Sequence, residues 1–142
     1  MTATAPAVPP GGEASGAKAT VPRRISGAEL RVWLAWLGLD AEEAGRVLDV
    51  RHDTVRKWLT GKEPVPVRVG KDLERIDDAT AMAVDDLVKA LGNMRDPAVV
   101  VYKSDAELWA ARAGVEPCPA RWWVMVVARA TAEVPGVEIQ WA

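Results

Sequence analysis

The sequence predicts a mainly α-helical protein: a bundle of short helices at the N-terminal end, a long linking helix, and a small α+β part of β-α-α-β order at the C-terminal end. Three observations predict it. Ser26, Asp40 and Ser104 each stand three residues before a glutamate, the arrangement in which a helix start caps itself. Apolar residues then recur at spacings of three and four, the period of one helix face. Only "AVVVY" at 98 to 102 and "VEIQW" at 137 to 141 read as strands.

Composition narrows the chemistry. The chain has 142 residues, enough for one ordinary domain or two small ones sharing a core, and 49% of them are apolar. One cysteine and one histidine supply neither a disulfide nor a four-ligand zinc site. No cofactor is expected. The longest apolar run, "WWVMVVA" at 122 to 128, is too short for a bilayer, and the expected location is the cytoplasm. Net charge is only -2, so attraction to a polyanion has to be local. It is local: residues 50 to 62 carry four Lys and Arg against one Asp, whereas 64 to 96 carry seven acids against five bases.

Residues 1 to 24 are rich in Ala, Pro, Gly and Thr without periodicity, the composition of a disordered arm. Its basic end, with Lys18, Arg23 and Arg24, would suit phosphate or minor-groove contact; a solvated leader is the plainer alternative. The first helix starts at the Ser26 cap, buries Leu30, Trp33, Leu34 and Leu37, and stops at Gly38. A second, of about eight residues, starts at Asp40 and turns Ala44, Val47 and Leu48 inward. Asp49 then occupies a turn that needs a left-handed backbone, which Asp tolerates better than most residues. A third runs from about His52 to Thr60 and stops at Gly61, with Val55, Trp58 and Leu59 inward and His52, Asp53, Arg56 and Lys57 outward.

The prolines of "EPVPV" make a stiff connector. From about Val67 to Leu91, Val69, Leu73, Ile76, Thr80, Ala83, Leu87 and Ala90 alternate by four and three, a coiled-coil-like stripe. After "GNMRDP" come the first strand, a helix capped at Ser104 that covers Leu108 and Trp109, a run at 120 to 133 that is apolar nearly all round, and the last strand, which should pair with the first. A helix apolar all round is a buried one. An exposed Trp-Trp pair would be adhesive, so Trp122, Trp123, Met125, Val126 and Trp141 are expected at an interface with a second copy. Trp33, Trp58 and Trp109 sit at inward positions and read as core, rather than as stacking platforms for single-stranded nucleic acid.

Two short helices about a tight turn, the second polar and basic outside, form the geometry that sets a helix in a major groove. The crossing requires small residues, and Ala44 and Gly45 supply them. "LDAEEAGRVLDVRHDTVRKWLTGK", from Leu39 to Lys62, resembles the helix-turn-helix of the phage-repressor, Cro-like (XRE-type) family through Glu42, Glu43, Val50, Thr54, Val55, Trp58, Gly61 and Lys62. The sequence departs from that pattern at Asp49, where the family has Gly, at Arg51, where a Ser or Thr cap is usual, and at Leu59, which replaces Glu. Loss of the cap should cost the third helix about 1 kcal/mol unless Asp53 substitutes.

What the resemblance implies is a set of DNA-binding residues: His52, Asp53 and Lys57 toward base edges, Arg56 toward backbone or base, Arg51 and Lys62 near phosphates, with Thr54 in the same motif. Each has a plain alternative as part of a solvated helix face. Asp53 has two specific readings, acceptance from cytosine N4 and stabilisation of the helix dipole.

More narrowly, the order of elements with Tyr102, Asp105 and Leu108 resembles the anti-CRISPR-associated autorepressors. That resemblance implies a C-terminal dimerisation domain and a homodimer on an inverted-repeat operator in double-stranded DNA. The boundaries that follow are an arm to 24, a helix-turn-helix domain over 25–66, a linking helix over 67–96 and a dimerisation domain over 97–142. Two other readings stay open: a protein-interaction or antitoxin-like adaptor that retains the helix-turn-helix, and a regulator binding RNA through the same helix. Catalysis is not expected, because the single histidine lies in the proposed reading helix and no glycine-rich loop follows a strand. The pairs Asp77-Asp78 and Asp85-Asp86 read as solvated faces of one helix.

Overall fold

In the computed structural model, residues 23–142 are described. Lys18 and most of the arm assigned to 1–24 lie outside them. Arg23, at the end of that arm, is engaged: its guanidinium bonds both carboxylate oxygens of Glu29, at 3.2 and 2.8 Å.

The chain forms α1 (Gly27–Leu37), α2 (Ala41–Leu48), α3 (His52–Thr60), α4 (Val67–Gly92), β1 (Ala98–Val101), α5 (Asp105–Ala111), α6 (Ala120–Glu133) and β2 (Glu138–Trp141). Three of the helix starts have a local cause. The Ser26 hydroxyl accepts from the Glu29 amide while Glu29 accepts from the Ser26 amide, and Asp40 and Glu43 repeat the exchange at α2. Ser104 accepts from the Glu107 amide at α5. The helix α6 follows Pro119 at its cap position, whose side chain cannot cap. Its first amide, on Ala120, donates instead to Asp105 Oδ1 at 2.8 Å, so a residue of α5 caps the next helix.

The strands pair in parallel, Ala98 with Glu138 through Val101 with Trp141, and the α5–α6 segment forms the crossover that parallel pairing requires. The buried side chains form a continuous cluster from Ile25 to Ala130, shared by the helices and β1. Among the described residues no helix is long and apolar enough to cross a membrane.

Two expectations are corrected. The α4 stripe holds at Val69, Leu73, Thr80 and Leu87, but the buried positions beyond Thr80 include Val84 and Leu91 in place of Ala83 and Ala90, and Ile76 is half-buried. A straight helix turns every 3.6 residues and drifts by about 20° per heptad from a 3.5-residue repeat, so over this length the larger side chains one position on rotate into the core.

The second correction concerns α6. Trp122, Trp123 and Val126 do not form a free face: they are 4, 3 and 0% exposed within the single chain. The helix packs on α4, on β1 and on α5, and Met125 lies against Gly38 at the end of α1. Both indoles are satisfied internally, Trp122 donating to Thr80 Oγ1 and Trp123 to the Val100 carbonyl, each at 2.9 Å. The Thr80 hydroxyl in turn donates to the Ile76 carbonyl, so the polar middle of α4 is the acceptor that a buried indole needs. Of the expected interface residues, Trp141 is open, at 59%, and Met125 is half-buried.

Candidate nucleic-acid interface

The helices α2 and α3 meet around a three-residue turn whose geometry follows from its sequence. Asp49 adopts the left-handed conformation, φ 60°, ψ 48°, the non-glycine residue that does so among those described. The Val50 amide donates back to the Gly45 carbonyl at 2.8 Å, closing the end of α2. A Cβ on Gly45 would lie 2.7 Å from the Val50 carbonyl oxygen and 3.2 Å from the His52 amide, so only glycine allows this approach. Buried Ala44 and Leu48 on one side and Val55 and Trp58 on the other lock the pair.

A second close approach holds the far end of α3. A Cβ on Gly27 would collide with the Trp58 carbonyl oxygen and lie 3.1 Å from that of Leu59. Sequence analysis did not single out Gly27; a glycine just inside a helix, where propensity disfavours it, was the available signal.

The rigid α3 presents its polar side chains outward. His52, Asp53, Arg56 and Lys57 are exposed, as are Arg51 and Lys62; side-chain exposure is 48% for His52 and 85% for Arg51, and Thr54 is half-buried. Arg51 stands at the cap position without a side-chain cap bond, and Asp53 makes none in its place. The Asp53 carboxylate instead lies among the cations, 3.9 Å from Arg51 and from Arg56 and 3.3 Å from His52 Nε2. Lys57 reaches Glu63 at 3.7 Å. Pairs this exposed are weak and readily exchanged for a stronger anion. Four of the five basic or potentially basic groups of this face, Arg51, His52, Arg56 and Lys57, are thus held loosely by two carboxylates.

The pair is also tied to the C-terminal part. Arg46 of α2 bonds Asp105 of α5 at 3.2 Å, and Arg121 of α6 bonds Glu43 of α2 at 3.2 Å. Asp105 therefore joins three elements, since it also caps α6. With Tyr102 and Leu108 both buried, the motif that carried the narrower resemblance is here a structural joint.

Trp36 and Trp109 pack half-buried against the core, so Trp109, expected as core, lies at its margin, and each has partners. Trp36 donates to Asp77 at 2.8 Å with the Arg129 guanidinium 3.8 Å from its ring centre, and Arg129 also bonds the Trp36 carbonyl. Burial pulls the Arg129 pKa down, partly opposed by the Asp77 charge. Trp109 donates to the Cys118 carbonyl at 2.7 Å, and burial pushes the Cys118 thiol up to about 11, leaving it protonated and unreactive at neutral pH. Among the described residues no three His, Cys, Asp or Glu side chains are grouped to hold a metal ion. The chain matches no protein-family model and no curated protein.

Proposed function

We propose that α2 and α3 are a helix-turn-helix, that α3 reads the major groove of double-stranded DNA, and that the protein is a sequence-specific repressor acting as a homodimer on an inverted repeat. The observation that carries this reading is the combination at one helix of a buried inner face and an exposed, cation-rich outer one. Val55, Trp58, Gly45 and Gly27 fix where α3 stands, and Arg51, His52, Arg56, Lys57 and Lys62 face away from the core. Long cations one helical face apart reach phosphate and guanine alike, and each phosphate contact releases counterions.

The proposed dimer draws its support from β2. Glu138 and Ala142 donate to Pro97 and Val101, so the backbone groups of Ile139 and Trp141 point to the open edge. Their side chains continue the face on which Val99 and Val101 are buried, yet are themselves 49 and 59% exposed. A two-stranded sheet with a bare edge is marginal alone. A second copy related by a two-fold axis at Gln140 would set Ile139 opposite Trp141 of its partner and satisfy the open groups of both. The apolar side chains would then meet on one face.

Selection from randomised duplexes at fixed salt tests the reading. The expected outcome is an inverted repeat with half-site centres about one helical turn, roughly 34 Å, apart. Absence of enrichment, or equal competition by structured RNA, would overturn it. The double substitution of Ile139 and Trp141 by Lys should convert a dimer to a monomer in light scattering and weaken operator binding together.

A further inference from the structure

We infer that a groove between α4, α6 and β1 is a binding site for a small apolar monocarboxylate, with Arg112 as the residue that engages the carboxylate. The groove encloses about 720 Å³ and is walled by Leu87 of α4, Val99 of β1, and Trp122 and Trp123 of α6. Arg112, at the end of α5, lies at its margin with the guanidinium carbon 4.0 Å from the centre of the Trp123 ring. Its Nε is buried without a hydrogen-bond partner. Among the described residues its side chain enters neither an ion pair nor a hydrogen bond. Burial of Nε leaves one donor without an acceptor, while the residue as a whole is half-buried, so its terminal nitrogens stay open to a ligand; a carboxylate is the group whose two oxygens match that fork.

Stacking on the indole fixes the plane of that fork before any ligand arrives. The contrast with Arg129 is informative. It too stacks on a tryptophan and has a buried, unpartnered Nε, but it bonds the Trp36 carbonyl and lies near Asp77. Arg112 has no such compensation.

The rest of the lining selects the ligand. Leu87, Val99 and the two indoles ask for an apolar, preferably planar, body. Asp86 on the α4 wall opposes a second negative charge, which disfavours phosphate and dicarboxylates. The proposal is independent of DNA binding, because none of these residues lies on α3.

Calorimetry with naphthalene-2-carboxylate as probe, and naphthalene-2-carboxamide as its neutral analogue, tests the site on the full chain. The wild-type protein should bind the carboxylate more tightly, and Arg112→Met should weaken the carboxylate by about tenfold or more while leaving the carboxamide unchanged. Should Arg112→Met fail to fold by circular dichroism, Ala90→Trp, on the exposed wall of the groove, should block both probes with Arg112 intact. Equal affinity of the two probes, no binding at millimolar probe, or an unchanged affinity in Arg112→Met would overturn the inference. So would loss of probe binding in step with self-association, which would give the groove to a second copy.

Discussion

The helices α3 and α6 are opposite solutions to the same problem. In α3, two buried residues fix nine, and the exposed positions are all polar or charged. In α6, six of fourteen residues are buried and several others are apolar as well. A helix with one apolar stripe declares in its own sequence which side is inside. A helix that is apolar nearly all round declares only that it is covered, not by what. Here α4, α5, β1 and the end of α1 cover it, and the Trp122–Trp123 pair, 4 and 3% exposed, offers no open face to a second protein chain.

That contrast can be broken at its strongest point. Trp122→Ala should remove a filled core volume and leave Thr80 without its indole, costing about 3–5 kcal/mol in chemical denaturation; a variant that unfolds like wild type would sink the assignment of α6 to the core. Next in size is Gly45→Val, which forces a side chain against the Val50 carbonyl and should cost about 1–3 kcal/mol. It should also disturb DNA affinity beyond the loss of stability, since it moves α3 as a body. On the other side of the comparison, Lys57→Ala should leave the melting temperature nearly unchanged yet weaken operator binding by about 1–3 kcal/mol if Lys57 reads a base. A phosphate contact would show instead as uniform weakening with a shallower salt slope.

Smaller effects test the helix starts. Arg51→Ser restores a side-chain cap to α3 and should add about 1 kcal/mol of stability while reducing affinity for DNA. Absence of a gain would mean that the first amides of α3 are satisfied by other means. The Glu29 carboxyl is held down to about 2 from its ordinary 4.5, first by the Arg23 guanidinium and then by the Ser26 amide. A carboxyl lowered on folding adds stability that is fully present above about pH 4.5 and disappears as the pH falls toward 2. Wild type and Glu29→Gln should therefore differ in melting temperature at pH 6 and converge near pH 2; a constant difference would exclude this origin.

Legibility in the sequence followed the range of the interaction. Caps and stops act within four residues, and the starts of α1, α2 and α5 and the left-handed Asp49 were readable for that reason. The outward set of α3 was readable because Val55 and Trp58 fix its phase. The late α4 register was not, since the difference between 3.5 and 3.6 residues per turn accumulates over its whole length. Nor were the acceptors of the indoles: Trp122 and Thr80 are 42 residues apart, and nothing local links them. The parallel sense of the β1–β2 pair and the joint at Asp105 are likewise products of the assembled chain.

The two bridges from α2, Glu43 to Arg121 and Arg46 to Asp105, carry a mechanical consequence. Each is weak alone in water, but together with Met125 against Gly38 they brace the front of the molecule to its back at separated points. A body braced in this way transmits angle as well as position. Two copies joined through β2 would hold their α3 helices at a set pitch, like the fixed jaws of a gauge. Inserting a single base pair between half-sites turns one of them by roughly 35° about the duplex axis, and a frame without a flexible neck has no joint with which to follow.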